Sequence, residues 1–146
     1  MKIAVGNDHR GYILKKQLML YLKELGYELI DMGCDSEDST DYPIYAKKVC
    51  NKVKEGYDFG ILICGTGIGM SIAANKIKGI RCAKVTTEEE AKLTRIDNDA
   101  NVIALSYKMP RDEAFSIVKT FITTETSTEE RHERRRKMLE ELENES

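Results

Sequence analysis

The run Phe59-Gly60-Ile61-Leu62-Ile63-Cys64 is apolar from end to end, and Gly65-Thr66-Gly67-Ile68-Gly69 follows it at once. A strand that does not alternate apolar with polar residues has no face to offer water. It belongs inside a parallel sheet covered on both sides. Such a sheet needs crossover helices, and the rest of the chain supplies them. Short β-prone runs at 2–6, 27–31, 80–85 and 101–105 alternate with helical stretches at 11–25, 43–54, 70–76, 87–95, 110–122 and 129–143. Leu14, Leu18, Tyr21, Leu22 and Leu25 share one helical face, and Gly26 stops that helix. Pro43 suits a first helical turn. Thr86 or Thr87 caps the helix after the fourth strand, with acids in its first turn. The expected fold is α/β, a five-stranded parallel sheet between layers of helix, in one domain spanning 1–146.

Composition enters by what it excludes. A chain of 146 residues buries a core without disulfides or a structural metal. With 41% hydrophobic and 33% charged residues it is neither disordered nor a membrane protein. Its apolar runs are far short of a bilayer span. A net charge of −2 gives no general attraction to nucleic acid. The first residues read as a strand rather than a signal peptide, so a cytoplasmic location is expected. Cys34, Cys50, Cys64 and Cys82 form no CxxC pair, and His9 and His132 lie far apart, so no metal site is expected. The cysteines should be free thiols.

The last helix, about 129–143, is unusually polar. Arg131-His132-Glu133-Arg134-Arg135-Arg136-Lys137 is basic, and Glu140, Glu141 and Glu143 follow. Only Met138, Leu139 and Leu142 give it apolar surface. A helix so composed holds weakly to its own domain and is expected to reach toward a partner subunit. Arg131 and Arg135 lie four apart and share one face; a solvated charged face is the plainer reading of that pair.

In open α/β sheets, ligands bind outside the carboxyl ends of the strands. Asn7-Asp8-His9-Arg10-Gly11 follows the first strand, and Cys64-Gly65-Thr66-Gly67-Ile68-Gly69-Met70-Ser71 follows the third. Asp97-Asn98-Asp99-Ala100-Asn101 is a third polar cluster, but it precedes its strand. The Cys64 loop carries the most information. Its glycines let the backbone turn tightly and aim N–H groups inward, and a helix starts there, which makes an anion cradle. No Gly-Lys-Ser/Thr follows, so it is no P-loop. A thiol stands at the mouth of the cradle, where a helix N-terminus favours thiolate. For Cys34, Cys50 and Cys82 the plain reading is a small buried hydrophobe.

These segments, with Asp41-Tyr42-Pro43, the block from Gly60 to Lys76, Gly79-Ile80-Arg81, Asn98-Asp99-Ala100-Asn101-Val102 and Arg131-His132, resemble the type B ribose-5-phosphate isomerases. That family also holds galactose-6-phosphate and allose-6-phosphate isomerases. The resemblance covers nearly the whole chain in order. It implies a Rossmann-like α/β/α sandwich, a homodimer with sites between subunits, and no metal or organic cofactor; pairing into a dimer of dimers stays open. It implies a phosphorylated sugar as partner and an aldose–ketose isomerisation, with ribose 5-phosphate as the default substrate. Cys64 would move the carbon-bound proton and Thr66 the hydroxyl proton. Backbone N–H groups around Gly65, Gly67, Ile68, Gly69, Met70 and Ser71 would hold the enediolate. Asp8 and Tyr42 would bind the sugar, and His9 with Arg131 and Arg135 the phosphate.

Five positions depart from that family. Asp97 stands where a ring-opening histidine is usual, and is the candidate for that step beside Asn98. Lys108 replaces an arginine as a substrate-binding candidate. Arg10 replaces a small residue, and Glu129-Glu130 a glycine pair. The alternatives are an isomerase of a tetrose 4-phosphate or hexose 6-phosphate, and a non-catalytic sugar-phosphate-binding subunit. A nucleotide-binding enzyme is weaker, because no acidic residue is placed for a ribose after the first strand and helix.

Overall fold

The computed structural model describes residues 1–145. Its strands are β1 (Lys2–Asn7), β2 (Glu28–Asp31), β3 (Phe59–Cys64), β4 (Cys82–Lys84) and β5 (Val102–Ser106). Its helices are α1 (Tyr12–Glu24), α2 (Tyr42–Lys54), α3 (Ile68–Asn75), α4 (Glu88–Asn98), α5 (Arg111–Thr123) and α6 (Glu130–Glu145), with a 3-10 turn at His9–Gly11. The strands form one parallel sheet in the order β2-β1-β3-β5-β4. Every residue of β3 is buried, as its unbroken apolar run requires. The chain leaves β1 toward β2 on one side and returns to β3 on the other. A crevice therefore opens at the carboxyl ends of β1 and β3.

Alternate residues along the strands feed two cores. Ile3, Val5, Ile61 and Ile63 pack with Leu14, Leu18 and Leu22 of α1, Ala91 of α4, and Ile117 and Phe121 of α5. Ala4, Leu62, Val102 and Ala104 pack with Ala46 and Val49 of α2 and Met70 and Ala74 of α3. The period of two in a strand explains the division. Small residues on the second face let α2 come close. A Cβ on Gly60 would meet Val49 Cγ1 at 2.7 Å, and one on Gly6 would meet Val49 Cγ2 at 2.5 Å.

Several boundaries differ from the sequence expectation. Helix α3 starts at Ile68 rather than Met70, straight after Gly67 at φ +81°. The fourth strand keeps three residues, Cys82–Lys84. Helix α4 continues past Arg95 to Asn98, because Arg95 is a buried structural side chain. Its guanidinium carbon lies 4.8 Å from the Phe59 ring centroid and 5.8 Å from that of Phe121. Its nitrogens donate to Asp99 Oδ1 (2.7 Å), the Ala100 carbonyl (2.8 Å) and the Thr124 carbonyl (3.1 Å). Asp99, at φ +48°, then closes the helix in a left-handed cap. Asp97 and Asn98 are thus helical, not loop. Asn101 leads into β5, and its carbonyl accepts from the Gly60 N–H at the start of β3 (2.9 Å). The cluster from Asp97 to Asn101 therefore sits at the amino ends of the strands, across the sheet from Cys64.

Helix α6 rests on this same end through polar contacts. His132 Nε2 is 3.5 Å from Asp97 Oδ1, Arg136 donates to the Ser127 and Asp97 carbonyls, and the Gly79 N–H donates to the Glu143 carboxylate. Met138, Leu139 and Leu142 remain exposed. Among the described residues no helix is long and apolar enough to cross a membrane.

The packing on Val49 generates a stability prediction. Gly60→Ala forces a methyl group into a filled contact and should cost ~1–3 kcal/mol. Urea unfolding followed by circular dichroism measures it, and an unchanged midpoint would mean that α2 is free to shift.

Candidate active site

The site grows from two neighbouring strand ends. Asp8 follows β1, and its N–H donates to the Ile63 carbonyl on β3 (3.1 Å). Asp8 Oδ1 accepts from the Arg10 and Gly11 N–H groups at 3.0 and 3.2 Å, which caps the 3-10 turn. The residue is 6% exposed, and Oδ2 has no hydrogen bond among the described residues, so one carboxylate oxygen is left for a ligand. His9 Nδ1 accepts the Thr40 N–H (3.2 Å), while the His9 N–H donates to Thr40 Oγ1 (3.2 Å). An accepting Nδ1 assigns the proton of the neutral ring to Nε2. His9 thereby offers an N–H donor.

The segment from 33 to 41 that brings Thr40 to His9 is anchored from below. Lys15 Nζ, almost wholly buried, donates to the Cys34 carbonyl (2.8 Å) and pairs with Asp31 Oδ2 (3.0 Å). Asn7 Nδ2 lies 3.3 Å from Cys34 Sγ. This segment ends at Tyr42, the first residue of α2. A Cβ on Gly69 would fall 2.7 Å from the Tyr42 ring. Tyr42 therefore packs on the bare backbone of the Cys64 loop, which only glycine allows.

Cys64 ends β3 and is 4% exposed. Its sulfur accepts the Gly67 N–H (3.2 Å). Gly67 owes this geometry to its positive φ, and a Cβ there would also meet the Ala104 carbonyl oxygen at 3.2 Å. Thr66 Oγ1 accepts the Ile68 N–H (3.1 Å), and the Ser71 N–H closes the first helical turn on the Gly67 carbonyl (3.1 Å). The N–H groups of Gly69 and Met70 have no partner among the described residues. They are the free donors of the cradle, in the first turn of a helix beside a thiol. From β5, Ser106 Oγ donates to the Gly65 carbonyl (2.9 Å) and the Tyr107 N–H to the Cys64 carbonyl (2.9 Å), so this strand end braces the loop.

The structure therefore brings together Cys64, Thr66, the cradle, Asp8, His9 and Tyr42, with exposed Lys108 beside Tyr107 at the same end. It places Asp97, Asn98, Arg131 and Arg135 at the other end. Asp97 faces His132, Asn98 Oδ1 accepts from Thr94 Oγ1 (3.2 Å), and Arg131 pairs with Glu129 (3.0 Å). Arg135 is exposed, with no ion pair among the described residues. Sequence reasoning passed over Ser106, the last residue of β5, and Tyr107, the next in the chain. The carboxyl-end rule that found Cys64 marks them too. Among the described residues no group of three or more His, Cys, Asp or Glu side chains is gathered to hold a metal ion.

A family model described as Ribose/Galactose Isomerase matches residues 3–139 of this chain. The chain belongs to that family. A Bacillus subtilis relative, called putative sugar phosphate isomerase YwlF, is 48% identical over 128 residues, covering 86% of each chain. Ribose-5-phosphate isomerase B of Escherichia coli is 50% identical over 109 residues, 74% of this chain and 73% of that one. The solved structure of Clostridium thermocellum ribose-5-phosphate isomerase B superposes with a TM-score of 0.96 at 45% identity, covering 99% of both chains. Burial pushes the Cys50 and Cys82 thiols up to about 12. Near pH ~8 both stay protonated and unreactive. Iodoacetamide at that pH should leave Cys50 and Cys82 unlabelled in the folded protein and label them after unfolding in urea. Peptide mass spectrometry reads the sites, and native labelling of Cys50 at the unfolded rate would contradict this burial.

Proposed function

We propose that this protein interconverts ribose 5-phosphate and ribulose 5-phosphate through an enediolate, in the cytoplasm and as a homodimer. The observation that supports this most is the Cys64 thiol set against the unpartnered Gly69 and Met70 amides, in a chain of the ribose/galactose isomerase family. The Cys64 thiolate takes the proton from C2 of the open aldose, and the electron pair moves toward the C1 oxygen. The amides hold that oxyanion, which is charged only once the proton has left, so they favour the transition state over the substrate. The sulfur then returns its proton to C1. Thr66 passes the hydroxyl proton from the C2 oxygen to the C1 oxygen, which leaves a ketose. Asp8 and Tyr42 bind the sugar, and His9 the phosphate.

Asp97, Arg131 and Arg135 belong to the opposite end of their own sheet. They serve the partner's site, where the two arginines give the phosphate permanent forked charge. Asp97 offers a carboxylate, an acceptor for the hydroxyl proton, in place of an imidazole that can both accept and donate. That residue favours a second reading, a substrate with too few carbons to form a stable ring.

One assay panel covers both readings. Erythrose 4-phosphate, ribose 5-phosphate and a hexose 6-phosphate are compared, with Cys64→Ala as the blank. Ribose 5-phosphate should be turned over, and Cys64→Ala should lose ~10²–10⁴-fold in rate while keeping its fold. A tetrose phosphate with the higher kcat/KM would move the assignment to the second reading, and near-native turnover by Cys64→Ala would remove the thiol mechanism.

The shared site has its own check. Arg131→Ala or Arg135→Ala should raise KM more than it lowers kcat. Sedimentation should find a dimer in active samples. A fully active monomer would sink the assignment of these arginines to the partner's site.

A further inference from the structure

Arg10, at the Cys64 end, has no ion pair among the described residues and no role so far. Its backbone N–H is held by Asp8 Oδ1 (3.0 Å), so its root is fixed on the 3-10 turn. Its stem lies along Gly65. A Cβ on that glycine would sit 3.5 Å from Arg10 Cδ and 3.6 Å from Nη1. Its guanidinium carbon is 6.0 Å from the Tyr107 ring centroid, the outer limit of a cation–π contact. The side chain forms no ion pair among the described residues, although Glu37 lines the same hollow. That hollow, about 410 Å³, is walled by His9, Arg10, Gln17, Glu37 and Tyr107 among others. It thus combines a guanidinium without an ion pair, its stem against Gly65 of the thiol loop, with a histidine whose free nitrogen is a donor.

An aliphatic stem laid on backbone costs less entropy to fix than one waving in water, and a guanidinium presents two parallel N–H groups to an oxyanion. From this geometry we propose that Arg10 is a phosphate-binding residue of its own subunit's site. Its fork takes two phosphate oxygens while His9 Nε2–H takes the third. The anchor is thereby carried in part by the chain that also holds Cys64. Since the stem rests on Gly65, phosphate and thiol are tied to one rigid loop. This rests on the sugar-phosphate reading above, and the test separates the two.

Arg10→Met keeps the stem and removes the fork. KM for ribose 5-phosphate should rise about tenfold with kcat within about twofold, and the inhibition constant of inorganic phosphate should rise by the same factor. Arg10→Lys, a charge without a fork, should recover only part of the loss. Unchanged inhibition by inorganic phosphate in Arg10→Met would overturn the proposal. So would a loss confined to kcat. If the native protein turns over no sugar phosphate, the functional reading fails by itself. The rise in Tm with inorganic phosphate then decides Arg10: a rise much reduced in Arg10→Met upholds it, and an equal rise refutes it.

Discussion

Everything at the site depends on how closely β1 and β3 lie together. Their register runs from Ile3 opposite Phe59 to Asn7 opposite Ile63. The next bond, from the Asp8 N–H to the Ile63 carbonyl, carries the pairing past the end of β1. Gly11 makes the turn possible, since any Cβ there would fall 2.7–2.9 Å from Ile63. The first loop is therefore laid against the third strand, with Asp8 and His9 beside the residues that precede the thiol. Hydrogen-bonded backbone sets the spacing, and backbone is stiffer than the side chains it carries.

The parallel architecture was legible because β3 is apolar throughout and glycine-rich immediately after, and the whole of Phe59–Cys64 lies where that pattern demands. The cap was legible to within one residue: the sequence offered Thr86 or Thr87, and it is Thr87 that accepts the Glu90 N–H. The end of α4 was not. Asp97-Asn98-Asp99 reads locally as loop, and what extends the helix is Arg95 lodged between Phe59 and Phe121, a contact between residues far apart in sequence. The same holds for the role of Lys15. A lysine on an amphipathic helix looks solvated, yet this one is buried under the segment that positions His9.

At the site, the residues carried by one strand end and one glycine loop were readable, because their neighbours in sequence are their neighbours in space. Tyr42 was readable only through the family pattern. Its reason is the missing side chain at Gly69, and no local rule links two positions so far apart. Arg10 was visible as a departure, but its posture along Gly65 belongs to the folded chain alone.

Helix α2 also has a mechanical meaning. Its middle bears on the sheet where Val49 straddles Gly6 and Gly60, and its first residue bears on Gly69 through the Tyr42 ring. A thirteen-residue helix is a stiff rod, so these bearings move together. Lift the rod at the fulcrum and its tip swings over the mouth of the crevice. The seat of the Tyr42 ring on the Cys64 loop is in this sense calibrated from inside the hydrophobic layer, by three positions that have no side chain.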